Sequence, residues 1–137
     1  MGYRQRRGTA IVETDKGILL VAGRGKNFIT PGGKANRKES RMQAAIRELK
    51  EETDLEPYFA MALFRFTGYP HKKHHDFHTV YYIKAKGVPR PKNEIKYVAF
   101  YSPENDIKPS SSTKEILKQY YAFKKKNKSL FKELERL

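Results

Sequence analysis

The apolar residues Ile18, Leu19, Leu20 and Val21 run without interruption, as in a strand buried on both faces. Around them, Gly8 to Glu13 and Gly17 to Ala22 read as two strands joined by a turn at Thr14, Asp15 and Lys16. A short extended piece, Asn27 to Thr30, leads to Pro31, Gly32 and Gly33, which read as a tight loop: a breaker followed by two permissive positions. The period then changes. Met42, Ala45, Ile46, Leu49 and Thr53 recur at helical spacing and, at about 100° per residue, fall within an arc of about 100°. Glu48, Glu51 and Glu52 fall within a second arc, centred well away from the first. Ser40 with Gln43 three residues on is a capping box that starts the helix.

Beyond Pro57 the pattern returns to strands. Tyr58 to Thr67 and Phe77 to Ala85 make a hairpin around a loop at Tyr69 to His75, and Glu94 to Tyr101 makes a further strand. A helix is expected from Ser112 to about Lys126, capped by Ser111 or Ser112, with Ile116, Leu117, Tyr120 and Phe123 on one side. Leu130, Phe131, Leu134 and Leu137 carry a helical stripe into the basic tail, 124–137; it either packs back on the domain or makes a homodimer contact. One domain is expected over 1–137, with a core of about 8–126. No repeat or linker interrupts it.

Charge adds a constraint. The 137 residues hold 29 Lys+Arg against 15 Asp+Glu, a formal net charge of +14. Such a field concentrates polyanions: nucleotides, inositol phosphates, nucleic acid or anionic membranes. The carboxylates that exist gather in the central helix, which suggests a cation held there to meet a phosphate. The chain has no cysteine, which excludes disulfides, thiolate metal sites and cysteine nucleophiles and fits a reducing cytoplasm. No segment approaches the ~20 apolar residues of a membrane span, and MGYRQRRGTA lacks the apolar core of a secretory signal.

Three glutamates on one helical face repel one another unless a cation compensates. Hard oxygen donors at this density suit Mg2+ or Mn2+. A glycine loop lets a backbone carbonyl approach the same ion, and nearby lysine and arginine can hold phosphate oxygens. The bland alternative is a solvated helix face, with Arg47 and Lys50 as local ion-pair partners.

The ordered spacing decides between them. Gly33, Glu39, Arg47-Glu48-Leu49, Glu51-Glu52 and Leu55 stand in the register of the Nudix box, and the chain resembles the Nudix hydrolase superfamily, of the MutT-like kind. Asp54 stands where the box has its last glycine; that position ends the helix in a left-handed conformation, which Asp tolerates at a modest cost. The resemblance implies an α/β/α Nudix fold, a mixed sheet between helices, and Mg2+-dependent hydrolysis of a diphosphate linkage. It implies Gly33, Glu48, Glu51 and Glu52 as metal ligands, and Arg47 as the residue that orients a box glutamate, Glu39 or Glu48. Glu48 is the first candidate for general base and Glu94 the second, with Glu52 part of the same catalytic set. Arg24 and Lys34 are the expected phosphate contacts.

The expected partner is a small phosphorylated substrate: a nucleoside di- or triphosphate or a related nucleoside diphosphate derivative. Dinucleoside polyphosphates, ADP-ribose, RNA 5′ ends and inositol pyrophosphates are alternatives, as is a Nudix fold that only binds a nucleotide or RNA. The tract of His71, Lys72, Lys73, His74, His75 and His78 has three readings: a Zn2+ site, a basic loop at the mouth of the site, or a solvated hairpin tip. Arg4, Arg6, Arg7 and Lys26 line the mouth or, for the N-terminal arginines, form a solvated arm. Phe28, Tyr69 and Phe77 either stack on a base or pack in the core. The Lys124–Lys128 run reads as solvated surface.

Overall fold

The computed structural model describes residues 5–66 and 76–137. Its elements are β1 (Gln5–Ile11), β2 (Glu13–Thr14), β3 (Gly17–Ala22), β4 (Gly32–Lys34), α1 (Arg41–Thr53), β5 (Glu56–Phe66), β6 (Asp76–Lys86), β7 (Tyr97–Tyr101), α2 (Ser111–Lys126) and α3 (Lys128–Glu135).

Two sheets form. One has the order β4-β1-β6-β5 and is mixed: β1 and β6 run parallel, whereas β4 and β5 pair antiparallel with β1 and β6. The other has the order β2-β3-β7 and is antiparallel. Side-chain alternation along the strands builds a separate core on each face. Ala10, Val12, Leu19, Tyr81 and Ile83 pack with Ala45 and Leu49 of α1. Their strand neighbours Ile11, Ile18, Val80 and Tyr82 pack with Ile116, Leu117 and Tyr120 of α2 and with Phe131 and Leu134 of α3. This is the expected α/β/α sandwich, and the Ile18 to Val21 run is fully buried because it serves both faces.

Several expectations shift. Gly32 and Gly33 are not a loop; with Lys34 they form β4, paired with Thr9, Gly8 and Arg7 of β1. Gly32 has φ +147, and a Cβ there would lie 2.3 Å from the Gly8 carbonyl oxygen, so only glycine lets these backbones meet. The strand expected from Glu94 begins at Tyr97, leaving Glu94 in the turn before it. The second helix is capped by Ser110 rather than Ser111 or Ser112: its side chain accepts from Thr113 N–H. The tail does not continue that helix. It breaks at Asn127, whose side-chain amide donates to the Phe123 carbonyl, and α3 packs back with Phe131 and Leu134 buried. Lys124 is not simply solvated: its Nζ lies 2.9 Å from Glu13 Oε1, which also accepts from the Tyr120 hydroxyl. No helix among the described residues is long and apolar enough to cross a membrane.

Candidate active site

Helix α1 carries Glu48, Glu51 and Glu52, and its two ends are set by local signals. At the start, Ser40 accepts from Gln43 N–H at 3.0 Å while the Gln43 side chain accepts from Ser40 N–H at 2.8 Å. This is the capping box expected from the sequence. At the end, Asp54 takes φ +64 in the left-handed region, and its N–H donates to the Lys50 carbonyl. The residue that departs from the Nudix pattern therefore keeps the conformation of the glycine it replaces.

The apolar side of α1 lies so close to β1 that a Cβ on Gly8 would sit 1.9 Å from the Arg41 carbonyl oxygen. The adjoining flank presents Glu48 and Glu52 beside β4, the sheet neighbour of β1. A Cβ on Gly33 would fall 2.7 to 2.9 Å from the Glu48 side-chain atoms Cδ, Cγ and Oε2, so Gly33 leaves the space that this side chain fills. Gly32 N–H donates to Glu52 Oε1 at 3.1 Å. The glycine pair thus contacts both glutamates.

Glu94 completes the group from the turn before β7. Glu48, Glu52 and Glu94 each place a carboxylate oxygen within 4.8 Å of the other two. Glu52 is only 5% exposed. Burial, joined by the charges of Glu48, Glu94 and Glu51, pushes its carboxyl up to about 8, against the opposing pull of the Gly32 N–H. Such a cluster is poor in compensation and rich in hard oxygen donors, which is the environment a divalent cation stabilises.

Arg47 organises the other carboxylates. Its Nε donates to Glu39 Oε2 at 2.7 Å and its Nη2 to Glu39 Oε1 at 3.0 Å. Nη1 reaches Glu48 at 2.6 Å and Glu51 at 3.2 Å, and Nη2 also reaches the Lys34 carbonyl at 3.1 Å. Arg47 therefore orients both glutamates that the sequence offered as its partners. The guanidinium bond, with a further one from Asn36 N–H, lowers the Glu39 carboxyl to about 2, and the bonds to Glu39 and then Glu48 raise Arg47 above its ordinary value. Glu51 stands apart from the three-carboxylate group, half-exposed and turned to Arg47.

Arg24 is exposed in the turn after β3. The adjacent Gly23 lies against the Glu94 backbone, its Cβ position 3.5 Å from that carbonyl oxygen, so Arg24 follows directly on a residue that borders the acidic group. Lys34 is exposed at the end of β4, next to Gly33. Arg6, read from sequence as lining the mouth or as one of a solvated arm, donates to the carbonyls of Glu39 and Asn36 at 2.7 and 2.8 Å and fastens the entry to α1.

Sequence reasoning missed a polar cleft of about 260 Å3 that shares Gly32 with the Glu52 bond. Arg7, Thr9, His78, Ser112 and Thr113 line it, with Ile29 and Ile116. Thr9 Oγ1 and His78 Nδ1 share a hydrogen bond of 2.9 Å. Period-two alternation, which puts Arg7, Thr9 and Ile11 on one side of β1, was the available signal. His78 thus belongs to strand β6, as the expected strand from Phe77 to Ala85 required. His71, Lys72, Lys73, His74, His75, Arg4 and Tyr69, with the side chain of Phe77, lie outside the described residues. Phe28 is half-buried and bridges to Pro109.

Comparison with known proteins agrees with this geometry. The family profile of the NUDIX domain matches residues 3–122. A nudix hydrolase family member from Chromobacterium violaceum is 36% identical, with a TM-score of 0.85 over 98% of this chain and 91% of that one. A MutT NUDIX hydrolase from Burkholderia pseudomallei is 22% identical, with a TM-score of 0.73 over 85% of this chain and 98% of that one. A bifunctional NMN adenylyltransferase/ADP ribose pyrophosphatase from Francisella tularensis, solved with AMP and a manganese ion, shares the fold at 19% identity. Its TM-score is 0.67 over 89% of this chain and 42% of that one. A search of curated proteins finds no match. With the matched profile, the shared fold and the acidic helix braced by Gly33 and Arg47, the chain belongs to the NUDIX domain family and is a Nudix hydrolase.

Proposed function

We propose that the protein is a Mg2+-dependent pyrophosphohydrolase that cleaves the diphosphate linkage of a nucleoside di- or triphosphate or a related nucleoside diphosphate derivative. The observation that carries this reading is the convergence of Glu48, Glu52 and Glu94 within 4.8 Å in a chain of net charge +14. The donor set fits the cation: oxygen atoms only, one of them on a buried carboxyl that gives up its proton reluctantly. Glu48, Glu52 and Glu94 are the proposed holders, with the Gly33 carbonyl and Glu51 as further ligands from the same strand and helix turn; Mn2+ is the natural substitute. When bound, the ion polarises the phosphoryl group and acidifies water.

The chain's own residues do the rest. Gly33 and Arg47 fix the rotamer of Glu48, which takes a proton from the attacking water, with Glu94 the second candidate for that role. Arg24 and Lys34 neutralise non-bridging oxygens as the bridging bond breaks. The cleft lined by Arg7, Thr9 and His78 offers room for the part of the substrate beyond the phosphates. The reducing cytoplasm, where nucleotides and Mg2+ abound, is the matching compartment for a cysteine-free chain. The test is a substrate panel with Mg2+: nucleoside di- and triphosphates, ADP-ribose, a dinucleoside polyphosphate, a 5′-triphosphorylated RNA and an inositol pyrophosphate, followed by release of phosphorylated products. Nucleotide turnover supports the reading. Salt-sensitive RNA binding with no turnover of any member would replace it with a binding module.

A further inference from the structure

The turn that carries Glu94 is fastened to the last turn of α1. Arg90 N–H donates to the Thr53 carbonyl at 2.8 Å, and Lys92 N–H to the Glu52 carbonyl at 3.2 Å. The Asn93 side-chain amide donates to the Glu51 carbonyl at 2.8 Å. Lys92 Nζ lies 3.3 Å from Asp54 Oδ1. The carbonyls used here are those that a helix end leaves without intrahelical partners. The segment that presents Glu52 therefore also anchors the segment that presents Glu94.

The other side of this stretch is open. Gly87, Val88, Pro89, Pro91 and Lys96 border a cavity of about 560 Å3, and Val88 is 75% exposed. Packing does not hold the stretch from there. Ahead of Glu94 it is held by the bonds to α1; after Glu94 it is held by buried Ile95 and by Lys96 N–H, which donates to the Ala22 carbonyl of β3 at 2.8 Å. Asn93 sits at the junction. It has φ +55, a left-handed conformation that Asn tolerates better than most residues, and it immediately precedes Glu94.

We propose that Asn93 is a positioning residue for metal binding: its side-chain amide, bonded to the Glu51 carbonyl, holds Glu94 against Glu48 and Glu52. The Lys92–Asp54 pair assists it. Asp54, at the position where the Nudix box has glycine, thereby gains a use for its side chain. Both partners of that pair are about half-exposed, so it is the weaker of the two restraints. The proposal rests on the reading that the three glutamates hold a divalent cation.

The test is Mn2+ affinity, read by electron paramagnetic resonance on metal-free protein, with the unfolding midpoint in chelator as a second readout. Asn93→Gly keeps the left-handed backbone and removes the amide. It is expected to weaken Mn2+ binding about tenfold, the lower end of the range for residues that orient metal ligands, with an unchanged midpoint in chelator. Introduced into Glu94→Ala, the same substitution should cost nothing more, because Asn93 acts through Glu94. If Asn93→Gly weakens folding, Lys92→Met serves instead; it keeps the backbone bond to Glu52 and should show a smaller loss, again absent in Glu94→Ala. Wild-type affinity in both single variants, or losses that add in full to that of Glu94→Ala, would overturn the proposal. A wild-type protein with no Mn2+ affinity would overturn the metal reading itself and the positioning role with it, whereas retained wild-type binding with unaffected variants would remove only the role of Asn93.

Discussion

Gly33 and Glu48 are fitted to each other: a Cβ on Gly33 would lie 2.7 Å from Glu48 Cδ and 2.9 Å from its Oε2. Gly33→Ala must therefore displace the Glu48 side chain. Because the three atoms nearest to that Cβ all belong to the Glu48 side chain and none to backbone, the damage should fall on chemistry before stability. Turnover is expected to drop about ten- to hundredfold, the range found when groups that orient metal ligands are lost, with a small change in unfolding midpoint. Paired activity and thermal unfolding measurements check this.

Glu52 links pH, stability and metal. Its carboxyl is raised from 4.5 to about 8 in the metal-free fold. Folding then favours the protonated form, so the stability it contributes is present below about 4.5 and is lost as pH rises towards 8. Metal-free protein should become less stable across that window, and Glu52→Gln should remove most of the slope. Thermal unfolding in chelator from pH 5 to 9 measures both.

The same group sets the pH dependence of metal affinity. Below about 8, binding an ion displaces a proton from Glu52, so affinity should rise with pH by up to tenfold per unit between about 6 and 8. Calorimetry of Mn2+ binding in buffers of different protonation enthalpy should register close to one proton released.

Arg47 and Glu39 predict an acid limb of opposite sign. Glu39 is lowered to about 2 by the Arg47 guanidinium and the Asn36 N–H. The stability it contributes is present above about 4.5 and is lost as pH falls towards 2. Glu39→Gln should be less stable than wild type at pH 7 and converge with it under acid. Denaturant unfolding at pH 7, 4 and 3 distinguishes this from a uniform loss.

Tyr120 separates stability from function. Its hydroxyl donates to Glu13, and burial and then that bond raise its ionisation above the ordinary range. Tyr120→Phe should cost about 1.5 to 3 kcal/mol, the usual net worth of a hydrogen bond to a charged group. It leaves Glu13 with Lys124 and should not alter turnover.

Much of the site was legible because its signals are local or periodic. The Ser40–Gln43 cap, the apolar arc of α1 and the spacing from Gly33 to Glu52 all lie within one continuous stretch. The left-handed Asp54 followed from the residue types that tolerate that conformation. What escaped depends on non-local pairing. Two glycines after a proline look like a turn, and only β1, more than twenty residues earlier, makes Gly32 to Lys34 a strand. Glu51 shares a helical arc with Glu48 and Glu52, yet its carboxylate lies outside the three-carboxylate group and bonds to Arg47, a side-chain orientation that spacing does not encode. Glu94 belongs to the acidic group although it precedes the strand expected to carry it, because bonds from 90–93 to α1 and from Lys96 to Ala22 of β3 hold the turn on either side of it.

The most direct test compares wild type and Glu52→Gln on the nucleotide panel across a Mg2+ titration, with folding checked by circular dichroism. Glu52 is the buried member of the three-carboxylate group. The account predicts Mg2+-dependent release of phosphorylated products by wild type. It predicts a fall of about a hundred- to a thousandfold in the folded Glu52→Gln variant, the scale lost when a principal electrostatic contributor is removed. Turnover in Glu52→Gln within a few-fold of wild type, with the same Mg2+ dependence, would contradict it.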